Sequence, residues 1–310
     1  MRLRSPRRRG LGPSLTATAA VLLLSACGTG SAQVSATGRS NARSGVSSTA
    51  DTPSQPAASV AVPRFAHIVV AVLENHSYSQ IVSSAEAPFL TGLAHNGAVL
   101  THSYAVTHPS EPNYLALFSG STQGLTNDSC PHTFSGPNLG VALQRAQLSF
   151  TGYSESLPNV GFTGCSAGPY ARKHNPWVEF PALPASVNQP FTAFPSDYTT
   201  LPTVSFVIPN LNHDMHDGTI AAGDAWMRQN LGGYVAWART HNSLLIVTAD
   251  EDDTGHGNRI ATILAGAHVL AGPSAQPVNH YGVLRTILTS VGVSPFGAAA
   301  GVPPLTGIWN

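Results

Sequence analysis

The run Ser243-Leu-Leu-Ile-Val-Thr-Ala249 is apolar without alternation and is followed directly by Asp250-Glu251-Asp252-Asp253. A strand that is apolar on both sides belongs in a sheet covered on both faces, as in the parallel sheets of α/β domains. Acids just past its carboxyl end fall where open α/β sheets bind ligands. Only 10% of the chain is charged, so four adjacent carboxylates stand out. Crowded carboxylates raise one another's pKa unless something positive neutralises them. A divalent cation or histidines would do so, and the chain has 13 histidines.

Four further apolar runs read as strands: His67–Leu73, about Gln147–Tyr153, Thr203–Ile208 and Ile260–Leu264. Helical patterns separate them at Ala87–His95, Glu111–Phe118, Leu139–Arg145, Ile220–Thr240 and Tyr281–Val291. This alternation predicts an α/β fold with a mainly parallel sheet between helices, forming one domain over residues 63–310. The Pro-rich stretches 181–202 and 292–305 are expected to be surface loops.

Residues 1–26 read as a signal peptide: five arginines lie between Met1 and Arg9, and Leu15 to Ala26 is apolar and small. The apolar stretch is too short to span a membrane. Leu24-Ser-Ala-Cys27 has the form of a bacterial lipobox, which would place a lipid on Cys27; the alternative is an ordinary signal peptide. Residues 27–62 are rich in Ser, Ala, Thr, Gly and Pro and read as a flexible tether. The expected location is outside the cytoplasm, at the outer face of the cell membrane or secreted, with membrane contact only through the Cys27 anchor. Residues 63–310 carry eight Arg/Lys against 14 Asp/Glu. No basic stripe is present, so nucleic-acid binding is not expected. Cys130 and Cys165 remain as a pair, either a disulfide contributing roughly 3–4 kcal/mol in the chain-entropy model or two buried thiols.

Polar clusters follow three of the strands: Glu74-Asn75-His76, Pro209 to Asp217 and the acidic block. In a parallel sheet they converge on one edge. Glu74 and Asn75 either start a helix or offer oxygen to a hard cation. His213-Asp214-Met215-His216-Asp217 suits metal binding or an imidazole oriented for proton transfer; alternatively Asp217 caps the next helix. Ser110, in Thr107-His-Pro-Ser-Glu-Pro-Asn-Tyr114, opens a helical pattern. It could be only an N-cap, or a nucleophile where a helix N-terminus favours an anion. Arg172-Lys173-His174 holds the chain's one lysine and suits an anionic substrate, unless it is a surface accident. His280, before the last helix, is a further candidate; His102 and His256 are weaker.

Together, HIVVAVLENHSY, THPSEPNYLALFSG, ARKHNPW, FVIPNLNHDMHDG, LLIVTADEDD and NHYGVLRT resemble the phosphoesterase family of secreted acid phosphatases and bacterial phospholipases C. The likeness is nearest to the small actinobacterial acid phosphatases, some of which act on phosphoinositides. It spans about residues 65–292. The resemblance implies an alkaline-phosphatase-like core and an enzyme hydrolysing phosphomonoesters of small molecules or phosphoinositides, with Ser110 forming a phosphoserine intermediate. It places one divalent cation, identity open, on Glu74, Asn75, Asp250 and Glu251. The two-zinc relatives have Asp and His at comparable positions, so the residues here favour a single oxygen-ligated cation. His216 and Asp217, with Asp214, would protonate the leaving oxygen; His108, Asn113, Lys173, His174 and His280 would hold phosphate. An imidazolium acid, titrating at about pH 6–7, fits an acidic optimum. The competing readings are a phospholipase C or other phosphodiesterase on the same core, and a non-catalytic phosphate- or metal-binding lipoprotein.

Overall fold

The computed structural model describes residues 60–310. The expected signal peptide, Cys27 and the tether up to residue 59 lie outside the described residues. Eight strands form the main sheet: β1 (His67–Leu73), β2 (Ala98–Leu100), β3 (Phe150–Ser154), β4 (Asn188–Pro190), β5 (Val204–Ile208), β6 (Ser243–Ala249), β7 (Thr262–Gly266) and β8 (Gly272–Ser274). Their spatial order is β8-β2-β7-β6-β1-β5-β3-β4. The five strands β6, β1, β5, β3 and β4 are mutually parallel, and β7 runs antiparallel to both neighbours.

Alternation along the central strands sorts the core into two layers. Ile68, Val70, Val72, Leu244 and Ile246 pack with helices α2 (Ser110–Ser119), α3 (Leu139–Arg145) and α5 (His280–Val291). Val69, Ala71, Leu73, Leu245 and Val247 face α1 (Pro88–Asn96) and α4 (Ile220–Ala238). Burial of both faces is why β1 and β6 are apolar throughout. Phe118 anchors α2 in an aromatic cluster with Phe150, Trp177, Phe180 and Phe206, ring centroids 5.2–6.4 Å away.

Three expectations shift. The third strand starts at Phe150 rather than Gln147, because Gln147 has φ 59° and serves the turn after α3. Ile260 pairs with Ser77 and donates its N–H to Ser103 before the chain joins the sheet at Thr262. The Pro-rich stretch 181–202 is not all loop. Asn188–Pro190 forms edge strand β4, where a terminal proline costs no ladder hydrogen bond.

Candidate active site

Leu73 pairs with Ala249, so Glu74 and Asp250 leave the parallel sheet side by side. The Asp250 N–H donates to the Leu73 carbonyl at 2.9 Å. Alternation sends Glu74 to the same side as Val70 and Val72, toward α2. Asn75, with φ 55°, turns the chain and donates its N–H to Asp250 Oδ1 at 3.1 Å.

Ser110 is the first residue of α2, and Pro109 is the N-cap with no side-chain cap bond. The Ser110 hydroxyl is therefore not spent on capping. It lies 3.0 Å from Glu74 Oε2 and 3.3 Å from Glu251 Oε1. Having one proton, it can donate to only one of them at a time. The partial positive charge at the helix start favours an anion beside it. Asp217 is likewise free of the capping role, which Thr219 takes for α4.

His174 sits between two buried carboxylates, Nε2 at 3.2 Å from Glu74 Oε1 and Nδ1 at 3.2 Å from Asp214 Oδ2. It stacks on Tyr114 with centroids 5.0 Å apart. The Tyr114 hydroxyl donates to Glu74 Oε1. Burial, then the cations Lys173 and His216, hold His174 well below its usual range, so the imidazole is neutral. Burial, then the charges of Asp250 and Asp214, push Glu74 well up. Burial raises Asp214 to about 7. Burial and Glu251 raise Asp250 to about 7, and burial and Asp128 raise Glu251 to about 7.

These acids crowd, and Lys173 only partly offsets Glu74, Asp214 and Glu251. His174 Nε2, Asp214 Oδ2 and Asp250 Oδ2 are buried and lack hydrogen-bond partners. Donor atoms of Glu74, His174 and Asp214 lie within 4.8 Å of one another. This donor set fits a divalent cation, and it differs from the expected oxygen-only set. A neutral imidazole joins it, and Asp214 moves into it from the proton-transfer group. Asn75 contributes a backbone N–H to Asp250 instead. Glu251 turns its oxygens to Ser110, Asn113 and His108.

The more exposed part of the site holds His216, Asp217, Lys173, Asp128 and His108. His216 Nδ1 is 2.7 Å from Asp217 Oδ1, and its Nε2 points to Lys173 Nζ at 3.4 Å. Lys173 donates to Asp128 Oδ2 at 2.8 Å. Burial lowers its basicity, but the Asp128 hydrogen bond and surrounding carboxylates leave it raised overall. His108, 35% exposed, lies 2.8 Å from Glu251 and 3.2 Å from Asp252.

Two residues expected to hold phosphate are placed otherwise. Asn113 is fully buried. Its Oδ1 accepts the N–H groups of Val106 and Thr107, and its Nδ2 donates to the Thr107 and Pro109 carbonyls. That amide holds the loop that presents Ser110. His280 is buried with Nε2 2.6 Å from the Asp250 carbonyl. Burial lowers its pKa to about 4, so it is a neutral prop under the acidic segment.

Tyr114, Asp128 and Glu111 were not singled out as site residues from sequence. Tyr114 was within reach, since it lies four residues after Ser110 on the same helical face. Glu111 forms a buried acid pair with Glu179; burial and the Glu179 charge push Glu111 to about 9, which keeps it protonated. Asp128 gives no local signal. The Cys130–Cys165 disulfide is formed.

The sequence profile described as Phosphoesterase family matches residues 81–294. A phosphatidylinositol-3-phosphatase of Mycobacterium tuberculosis is 51% identical over 256 residues, 82% of this chain and 86% of that protein. An acid phosphatase of Aspergillus fumigatus is 30% identical over 268 residues, 79% of this chain but 59% of the longer fungal protein. Among solved structures, an alkaline phosphatase superfamily protein from Vibrio parahaemolyticus superposes with TM-score 0.52 at 14% identity. That match covers 80% of this chain and 73% of the other, and shares the fold.

Proposed function

Since the chain belongs to the phosphoesterase family and is a phosphoric ester hydrolase, we propose that it is an exported phosphomonoesterase acting on phosphoinositides, with Ser110 as nucleophile. The observation that carries the mechanism is the Ser110 hydroxyl, uncapped at a helix N-terminus and within 3.3 Å of two carboxylates. Glu251 takes the serine proton as the oxygen attacks phosphorus and the ester P–O bond breaks. The phosphoserine is then hydrolysed by water. Lys173 and the positive end of the α2 dipole offset charge on the phosphoryl oxygens. Asp217 orients His216, whose Nε2 delivers a proton to the leaving alcohol and later accepts one from water. Glu74, His174 and Asp214, with Asp250 beside them, would hold a divalent cation, which when bound offsets negative charge around the serine and the phosphoryl group.

The 51% identity to a phosphatidylinositol-3-phosphatase supports a phosphoinositide monoester as substrate. The arginine-rich leader and the disulfide support export. Phosphate release should be followed from p-nitrophenyl phosphate, phosphatidylinositol 3-phosphate and phosphatidylcholine, with and without chelator. Ser110→Ala should lose at least about 10³-fold in turnover. Near-wild-type turnover of that variant would remove the nucleophile assignment, and preferential cleavage of phosphatidylcholine would favour a phospholipase C instead.

A further inference from the structure

Asp128 divides its carboxylate between two parts of the site. Oδ1 accepts the N–H of Glu111, the residue after Ser110, at 2.9 Å, while Oδ2 accepts from Lys173 Nζ at 2.8 Å. Asp128 lies two residues before Cys130, whose disulfide reaches Cys165. Around that bridge, Arg172 ties both bridged segments together. Its N–H donates to the Cys165 carbonyl at 3.0 Å. Its guanidinium donates to the carbonyls of Thr163 at 2.7 Å and His132 at 2.9 Å, each two residues from a bridged cysteine. Its Nε lies 3.6 Å from Glu179 Oε1, and the residue is 7% exposed. Lys173 and His174 follow Arg172 directly.

We propose that Asp128 is a positioning residue for Lys173 and for the amide beside Ser110, held in place by the Cys130–Cys165 bridge and Arg172. A lysine is a point charge on a flexible stem, and freezing that stem opposes ligand binding. Asp128 occupies one of its three donors while Nζ also faces His216 Nε2 at 3.4 Å, which holds the ammonium where a remaining donor reaches a phosphoryl oxygen. The inference rests on the reading of Lys173 as phosphate-facing. Two simpler accounts make opposite predictions. If Asp128 were only a nearby negative charge, neutralising it would tighten anion binding. If the disulfide only stabilised the fold, breaking it would lower the melting temperature and leave phosphate affinity unchanged.

The test is calorimetric binding of inorganic phosphate, alongside kcat and KM on p-nitrophenyl phosphate and thermal unfolding. Folded Asp128→Asn should bind phosphate roughly 10- to 100-fold more weakly, the scale set by misplacement of a binding group by about 1 Å. Asp128→Glu should recover part of that loss. Reduction of the folded wild-type protein below its melting temperature should weaken phosphate binding in the same direction. Equal or tighter phosphate binding by Asp128→Asn, or by the reduced folded protein if that variant does not fold, overturns the proposal. A wild-type protein that neither binds phosphate nor releases it from any ester would instead overturn the functional reading.

Discussion

Ser110 shows how a residue acquires a role its neighbours in sequence cannot assign. A serine before a proline-containing helical turn reads equally as a cap, and only Pro109 taking the N-cap frees its hydroxyl for Glu74 and Glu251. His216 is oriented by Asp217 with its other nitrogen toward the site. His216→Ala should therefore cost about 10²- to 10⁴-fold with alkyl phosphates and much less with p-nitrophenyl phosphate, whose leaving group needs no proton. Equal losses on both substrates would remove the general-acid role. The acids give a second prediction. Asp214, Asp250 and Glu251 are raised to about 7 in the folded protein, mainly by burial, against about 4 unfolded. The folded state thus binds more protons between those values. The stability these groups contribute is full below about pH 4 and is lost as pH rises through about 7. Cation-free protein in chelator should melt at progressively lower temperature across that window. A divalent cation should restore the melting temperature at pH 7.5 and do little at pH 4.5. A flat profile without cation would contradict this account.

At the scale of elements, α2 carries the nucleophile, so its anchoring is a functional matter. Phe118 is fully buried and holds the helix against rings from β3, β5 and the Trp177–Phe180 segment. Phe118→Ala should destabilise by about 3–5 kcal/mol in chemical denaturation, and it should lower kcat in the folded fraction by letting Ser110 shift. A loss under 1 kcal/mol would mean that the cluster repacks. Most helix and strand positions were legible because apolar periodicity is local. His67–Leu73, Leu139–Arg145 and Ser243–Ala249 match residue for residue. Gln147 and Ile260 were misread because a left-handed turn and a bridge to Ser77 are set by packing. Edge strand β4 escaped because it is three residues long with Pro190 as its last, and its partner is 36 residues earlier in register, Gly152 with Asn188.

For the whole molecule, one edge of a parallel sheet gathers the ends of β1, β5 and β6, with the α2 N-terminus and the Asp128–Lys173 pair beside it. The lipobox-like context of Cys27 makes a lipid anchor an expectation that fractionation can test. A cell expressing Cys27→Ser should shift the activity from the membrane fraction to the medium; unchanged fractionation would leave ordinary secretion. Ser110 entered the site through the family resemblance; the chain's own pattern determined the alternation of strands and helices and the polar clusters at strand ends, with Glu74, Asp250 and His216 among them. Those follow from side-chain periodicity and from the rule that parallel strands end together. Tertiary structure alone decided the partners. It set His174 between Glu74 and Asp214, turned Asn113 and His280 inward as supports, and brought Asp128 to Lys173. Apart from those of Asn113, whose partners lie four to seven residues away, each of those contacts joins different segments, where burial and a spacing of about 3 Å fix protonation and role. No local pattern encodes such distances.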